Sequence, residues 1–236
     1  MSGIFTHEMI DERIKLHMEW VEGGYKDGTG LQMRFIGEDL SELDFGRSHE
    51  NRPVDLQGAV FSGCNLNFCN FERAGIARGV FIDCTLNKAS FDRADLRSAL
   101  FIRCTMQDTY LREANFSHAN IQEVIMDRSY ARGALFSHVQ FFEEISMKKA
   151  DLKGASFHGS SMLQVDIAGA YIGETAFSIG ETGGYFSIDD DTMRTFFCFL
   201  CTLEVECMEE DTWTAMREIQ KAASMGSQAC KFGILS

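Results

Sequence analysis

"AVFSGCNL" (59–66), "GVFIDCTL" (79–86) and "ALFIRCTM" (99–106) repeat one eight-residue pattern at a spacing of twenty. Within that spacing lies a finer one. Leu56, Phe61, Leu66, Phe71 and Ile76 are five residues apart, and the frame runs unbroken to Phe141 through eighteen centres, all large and apolar except Ala131. One residue is then inserted near "FFEE", and the frame resumes at Met147, Leu152, Phe157, Met162, Ile167, Ile172 and Phe177. Upstream, Phe35, Leu40 and Phe45 fit it as well. A five-residue period is neither the 2 of a simple strand nor the 3.6 of a helix, so neither element keeps these positions on one face. Repeats of this kind indicate stacked, quasi-one-dimensional architecture.

A small residue stands two places before most centres: Ala74, Ala94, Ala114, Ala134, and on another side the column Cys64, Cys84, Cys104. Together "ADLRS", "ANFSH", "ANIQE" and "ADLKG" resemble the quintet A-(D/N)-(L/F)-x-x of the pentapeptide-repeat family, over about residues 31–179. The resemblance implies an all-β solenoid, a right-handed quadrilateral parallel β-helix in which four quintets make one coil. Residues twenty apart then stack at the interstrand spacing of ~4.8 Å. The chain divides into a capping helix (1–30), the β-helix (31–179) and a C-terminal strand-helix segment (180–236). The cap is legible in "FTHEMIDERIKLHMEWVEGG" (5–24), where Ile10, Ile14, Met18 and Val21 recur at helical spacing. Thr6 is placed to N-cap this helix, and Gly23–Gly24 to stop it. In the tail, "TFFCFLCTLEVECM" (195–208) has strand character and "EEDTWTAMREIQKAA" (209–223) helical character.

The net charge of −13 argues against nonspecific binding to nucleic acid or to an anionic membrane. Residues 1–55 carry 6 Lys/Arg against 12 Asp/Glu and residues 178–236 carry 4 against 10, whereas residues 56–177 carry 12 against 13. The acidity sits at the ends. No apolar signal-type stretch opens "MSGIFTHEMIDER", and no run is long enough to span a bilayer, so the expectation is a cytoplasmic protein with reduced thiols.

Nothing points to catalysis, a cofactor or a metal. Phosphate-binding glycine loops, G-x-S-x-G and H-E-x-x-H are all missing. The pair Cys198 and Cys201, with Cys207 and Cys230, is a poor zinc set, because positions i and i+3 of a strand face opposite ways. Cys64, Cys84 and Cys104 fit Ala-sized slots and read as packing thiols. His118 and His138 form a short outward column that His158 continues one place out of register.

The outward positions on one side are anomalous. Where Asp, Asn, Ser or Thr usually precedes the centre stand Val60, Val80 and Leu100, with Ile82 and Ile102 just after it, and Phe142 and Leu163 further along. Exposed apolar surface of this kind is normally covered, here by the C-terminal segment or by a second chain. "GRSHENRP" (46–53) interrupts the frame as a projecting loop, with Arg47, His49, Glu50 and Arg52 as candidate recognition residues. The function expected from the residues is a non-catalytic, rigid scaffold that binds another protein, with a homodimer as one form. The resemblance implies an alternative, a DNA-mimicking modulator of bacterial gyrase or topoisomerase IV like the quinolone-resistance members. Against it, "ER" (72–73), "DR" (92–93) and "RE" (112–113) alternate in sign along one side, where a DNA mimic needs acidic tracks.

Overall fold

The computed structural model describes residues 5–25, 30–46, 53–162, 165–173, 175–177 and 186–187. The chain opens with α1 (His7–Glu22). Six three-residue strands follow: β1 (Arg34–Ile36), β2 (Val60–Ser62), β3 (Val80–Ile82), β4 (Leu100–Ile102), β5 (Asn120–Gln122) and β6 (Gln140–Phe142). Two-residue strands continue the path: β7 (Ile145–Ser146), β8 (Ser156–Phe157), β9 (Ser161–Met162), β10 (Val165–Asp166), β11 (Ala176–Phe177) and β12 (Phe186–Ser187). The first six strands and β9 form one seven-stranded sheet, every pair parallel.

Its register places Phe35, Phe61, Phe81, Phe101, Ile121 and Phe141 in one line. The other three sides are held by isolated parallel bridges. Asn65, Thr85, Thr105 and Ile125 pair in succession, as do Asn70, Ser90, Tyr110 and Tyr130, and Asp55, Gly75, Asp95, Asn115 and Leu135. Four ladders therefore run along one parallel β-solenoid. Partners are 20 residues apart through its middle. The separation is 26 across the 46–53 excursion, and 21 past Glu143–Glu144.

On the bridged sides several of the residues before the centre help to bend the chain. Asp55 accepts the N–H of Gln57 at 3.0 Å, Asn65 that of Asn67 at 3.1 Å, and Asn115 that of Ser117 at 3.0 Å. An Asx side chain thus bends the backbone on toward the corner. Val60, Val80 and Leu100 have no such acceptor, and the valines favour the extended backbone of their side, which continues through Asn120 in β5. Two places after the centre the backbone turns left-handed: φ is 58° at Arg78, 59° at Lys88, 60° at Arg93 and 56° at Asp108. Each such residue costs on the order of 1–3 kcal/mol. The cost is tolerated because the corner keeps its ladder bonds; the Arg78 N–H donates to the Arg97 carbonyl at 2.9 Å.

The axis is filled with rings. Phe61 stacks on Phe81 at 5.0 Å and Phe81 on Phe101 at 4.7 Å; Phe45, Phe71 and Phe91 form a second stack at 4.7 and 4.8 Å. Small residues before the centres close the corners, and all the ones named above are buried. Where they carry a donor it serves the neighbouring coil: Thr109 Oγ1 donates to the Leu86 carbonyl at 3.2 Å and Cys104 Sγ to that of Phe81 at 3.4 Å. The cysteine column is stacked as the frame requires, the Thr85 N–H donating to the Cys64 carbonyl and the Thr105 N–H to that of Cys84. Burial pushes the nearby Cys69 thiol up to about 12, so at neutral pH it is held in the uncharged form.

Thr6 N-caps α1, its hydroxyl accepting the Met9 N–H at 3.4 Å, and Gly23 ends it. Ile10 and Ile14 are buried and Met18 packs against the core. Gly30 lies so close to the helix that a Cβ there would sit 2.1 Å from the Leu16 carbonyl oxygen. Helical spacing singled out the apolar stripe but missed His17, which is 0% exposed. Its Nδ1 accepts the Met33 N–H at 2.9 Å, while Nε2 makes no hydrogen bond among the described residues.

Burial lowers the pKa of His17 below the ordinary 6.5, against the opposing pull of the Gln57 backbone and the Asp55 carboxylate. A base whose folded pKa is depressed stabilises the fold above its unfolded pKa, and that contribution is lost as pH falls from there towards the folded value. Protonation also turns Nδ1 into a donor facing the Met33 N–H. Wild type should therefore lose up to about 1.4 kcal/mol per pH unit just below pH 6.5. Urea midpoints at pH 7.5 and 5.5 measure this, and His17→Gln, which keeps an acceptor and does not titrate, should flatten the difference.

Candidate functional site

The outer face of the seven-stranded sheet is a strip of alternating columns. One column reads Arg34, Val60, Val80, Leu100, Asn120, Gln140; the other reads Ile36, Ser62, Ile82, Ile102, Gln122, Phe142. Val60, Val80, Ile82, Leu100 and Ile102 therefore share one face, as their spacing requires. They are half-buried, because each lies against its neighbours one coil away. Part of the apolar surface is covered by the strip itself. Phe142 belongs to the same column and is 39% exposed, separated from Ile102 by Gln122. Leu163 and the loop residues Arg47, His49, Glu50 and Arg52 lie outside the described residues, as do Cys198, Cys201, Cys207 and Cys230.

One member of the face was missed in the sequence. Ile36 heads the second column and is 74% exposed. The signal was available, since Phe35 is a centre and Ile36 occupies the place of Ile82 and Ile102. A second missed group lies on other sides: Tyr110 and Tyr130 stack at 5.1 Å, and Ile125, Leu135 and Tyr171 are exposed.

The corners bordering the strip differ in chemistry. On one edge stand Arg78, Ser98, His118 and His138; on the other Asp83, Arg103, Glu123 and Glu143. His118 and His138 stack at 5.1 Å with nearly parallel rings, and His158 meets His138 edge-on. On the opposite edge Arg103 clamps Asp83 through Nε at 2.7 Å and a second bond at 3.0 Å, holding that carboxyl below its usual range. Glu123 is different. Glu143 beside it raises its pKa, with Arg103 opposing.

Elsewhere the rod neutralises itself. Asp108 pairs with Arg128 at 2.8 Å, Arg93 with Glu113 at 2.9 Å, and the largely buried Asp92 accepts both the backbone N–H of Arg112 and its guanidinium. Glu72, Asp92, Arg93, Arg112 and Glu113 line a small charged groove. Among the described residues no group of three or more His, Cys, Asp or Glu is arranged to hold a metal ion, and no helix is long and apolar enough to cross a membrane.

Comparison with protein families matches residues 54–130 to a model described as a pentapeptide repeat region. Residues 54–130 form a pentapeptide-repeat region. Among solved structures the chain is similar to full-length QnrB1, a plasmid-mediated fluoroquinolone resistance protein, at 20% identity, covering 71% of this chain and 89% of that one with a TM-score of 0.34. It is also similar to HetL, a pentapeptide repeat protein involved in heterocyst differentiation regulation from the cyanobacterium Nostoc, at 16% identity, covering 70% and 92%, with a TM-score of 0.22. A pentapeptide repeat protein from the Arabidopsis thaliana thylakoid lumen is 21% identical over 74% and 81%, with a TM-score of 0.17. These likenesses are too distant to match individual site residues. No curated protein matches the chain.

Proposed function

We propose that this protein is a non-catalytic scaffold that binds a polypeptide on the outer face of its seven-stranded sheet. The observation that carries the proposal is the apolar patch of Val60, Val80, Ile82, Leu100 and Ile102 on a rigid support, with Ile36 set off from it by Ser62. Adjacent coils bonded along their length around stacked rings leave such a face little freedom to deform, so a partner meets it already ordered. The internal pairing of Asp83, Asp92, Asp108 and Glu113 with arginines favours this reading over DNA mimicry, which needs unpaired acidic tracks.

A photo-crosslinking amino acid placed at Ile82, and separately at Ser90 on another side, tests the proposal in the producing cells. Crosslinks to polypeptide, whether the same chain or another, are expected from position 82, not from 90, and should disappear when Ile102→Ser is added. Equal yields from both positions, or none from 82, would sink the scaffold reading for this face.

A further inference from the structure

The bordering corners say which polypeptide fits. Consider a second copy laid face to face on the strip. With the two rods parallel, a two-fold axis along the rod direction carries each edge of one copy onto the opposite edge of the other, at the same level. Arg78 then meets the partner's edge at the level of Asp83, His118 at that of Glu123, and His138 at that of Glu143. With the rods antiparallel, like edges meet: the carboxylates of Glu123 and Glu143 lie on an edge facing its own kind.

We propose that the occupant of this face is a second copy of the chain, docked side by side with parallel rods. The inference rests on the scaffold reading above and names its partner. Three observations converge on it. The strip is apolar at its centre and flat, so it is complementary to itself, as an isologous interface requires. The imidazoles of His118 and His138 are exposed on one edge and, in either protonation state, offer an N–H to a carboxylate. The carboxylates of Glu123 and Glu143 crowd one another on the other edge, where the bidentate partner of Arg103 is Asp83 rather than either glutamate. Donors from a second copy would relieve that crowding.

The size of the strip sets the strength. Seven strands at ~4.8 Å and five residues at ~3.3 Å give a footprint of roughly 550 Å² per copy. That is below the ~800 Å² per partner of a standard stable interface. The dimer should therefore be reversible and dilute apart.

Light scattering and sedimentation across about 1–200 µM at pH 7.5 read this directly. Wild type is expected to pass from monomer to dimer over that range. Ile82→Ser with Ile102→Ser should remain monomeric throughout, and it should stay folded, because Ser62 already occupies the same column. His118→Glu with His138→Glu should weaken dimerisation at least tenfold. Adding Glu123→Lys and Glu143→Lys to that variant should restore it, because each edge again meets its opposite. A wild type that stays monomeric at the highest concentration, or a dimer indifferent to Ile82 and Ile102, overturns the proposal. So does a charge exchange that fails to restore a folded variant. Crosslinks from Ile82 to a different polypeptide, with a monomeric wild type, would defeat the self-pairing and leave the scaffold reading standing. Mild amide variants, Glu123→Gln with Glu143→Gln, give a second measurement that puts no new charge on the rod; a dimer as strong as wild type in that background also counts against the proposal.

Discussion

Phe101→Ala is expected to lower the unfolding free energy by about 3–5 kcal/mol, the range for emptying a buried aromatic site. Phe101 is fully buried, stacked on Phe81 at 4.7 Å and tilted against Phe116 at 5.8 Å. The site cannot collapse easily. Its backbone is held by ladders on both sides, and the Arg103 N–H donates to the Gln122 carbonyl at 3.0 Å whatever the side chain does. A void should therefore persist in the axis rather than close. Urea denaturation of the variant beside Phe142→Ala makes the comparison. Phe142 is one place out of the inward line, and its loss should cost well under half as much. Equal effects at the two positions would mean that the five-residue frame does not describe the core.

The second large effect is expected from removing the cap. Deleting residues 1–24 takes away Ile10 and Ile14, both fully buried. At about 1.5–3 kcal/mol each, these two side chains alone stabilise by roughly 3–6 kcal/mol. The deletion also uncovers β1, whose pairing in the sheet is with β2 on one side, leaving an unpaired edge of the kind that recruits other chains. The truncated protein should melt at a lower temperature and form large, irregular assemblies on concentration, visible as a rising scattering signal. A truncated rod that remains monodisperse and melts like the full chain would show that α1 is an appendage.

Much of this was legible in the residues, for a physical reason. In a solenoid each contact is with the next coil, so a fixed period translates directly into spatial neighbours. Phe61, Phe81 and Phe101 had to stack once the twenty-residue repeat was seen. The two breaks, after Phe45 and at Glu143–Glu144, appear as register changes of the expected size. The parts that were hidden depend on side-chain geometry within a coil. Asx acceptors such as Asp55 and Asn65 reinforce the bend at particular quintets, and a quintet consensus does not say at which. His17 was obscured because the helical stripe was read from apolar residues, while its burial follows from a bond to Met33 across a turn. The half-burial of Val80 and Leu100 could not be seen either, because period alone says which way a side chain points and not how much its neighbours cover.

The direction of the ladder bonds has a mechanical consequence. In the rod they join one coil to the next and so lie along its length, unlike those of a sandwich sheared between its termini. Tension applied along the axis would load the coils in series, and they would yield singly. Each release would free about 20 residues, roughly 65 Å of contour at full extension, giving a sawtooth of nearly even teeth. Coils built on Phe61, Phe71, Phe81, Phe91 and Phe101 would yield last, after those in which Ile121, Met126 and Ala131 replace the rings. Such a rod would meter out force in steps, each as long as its own repeat.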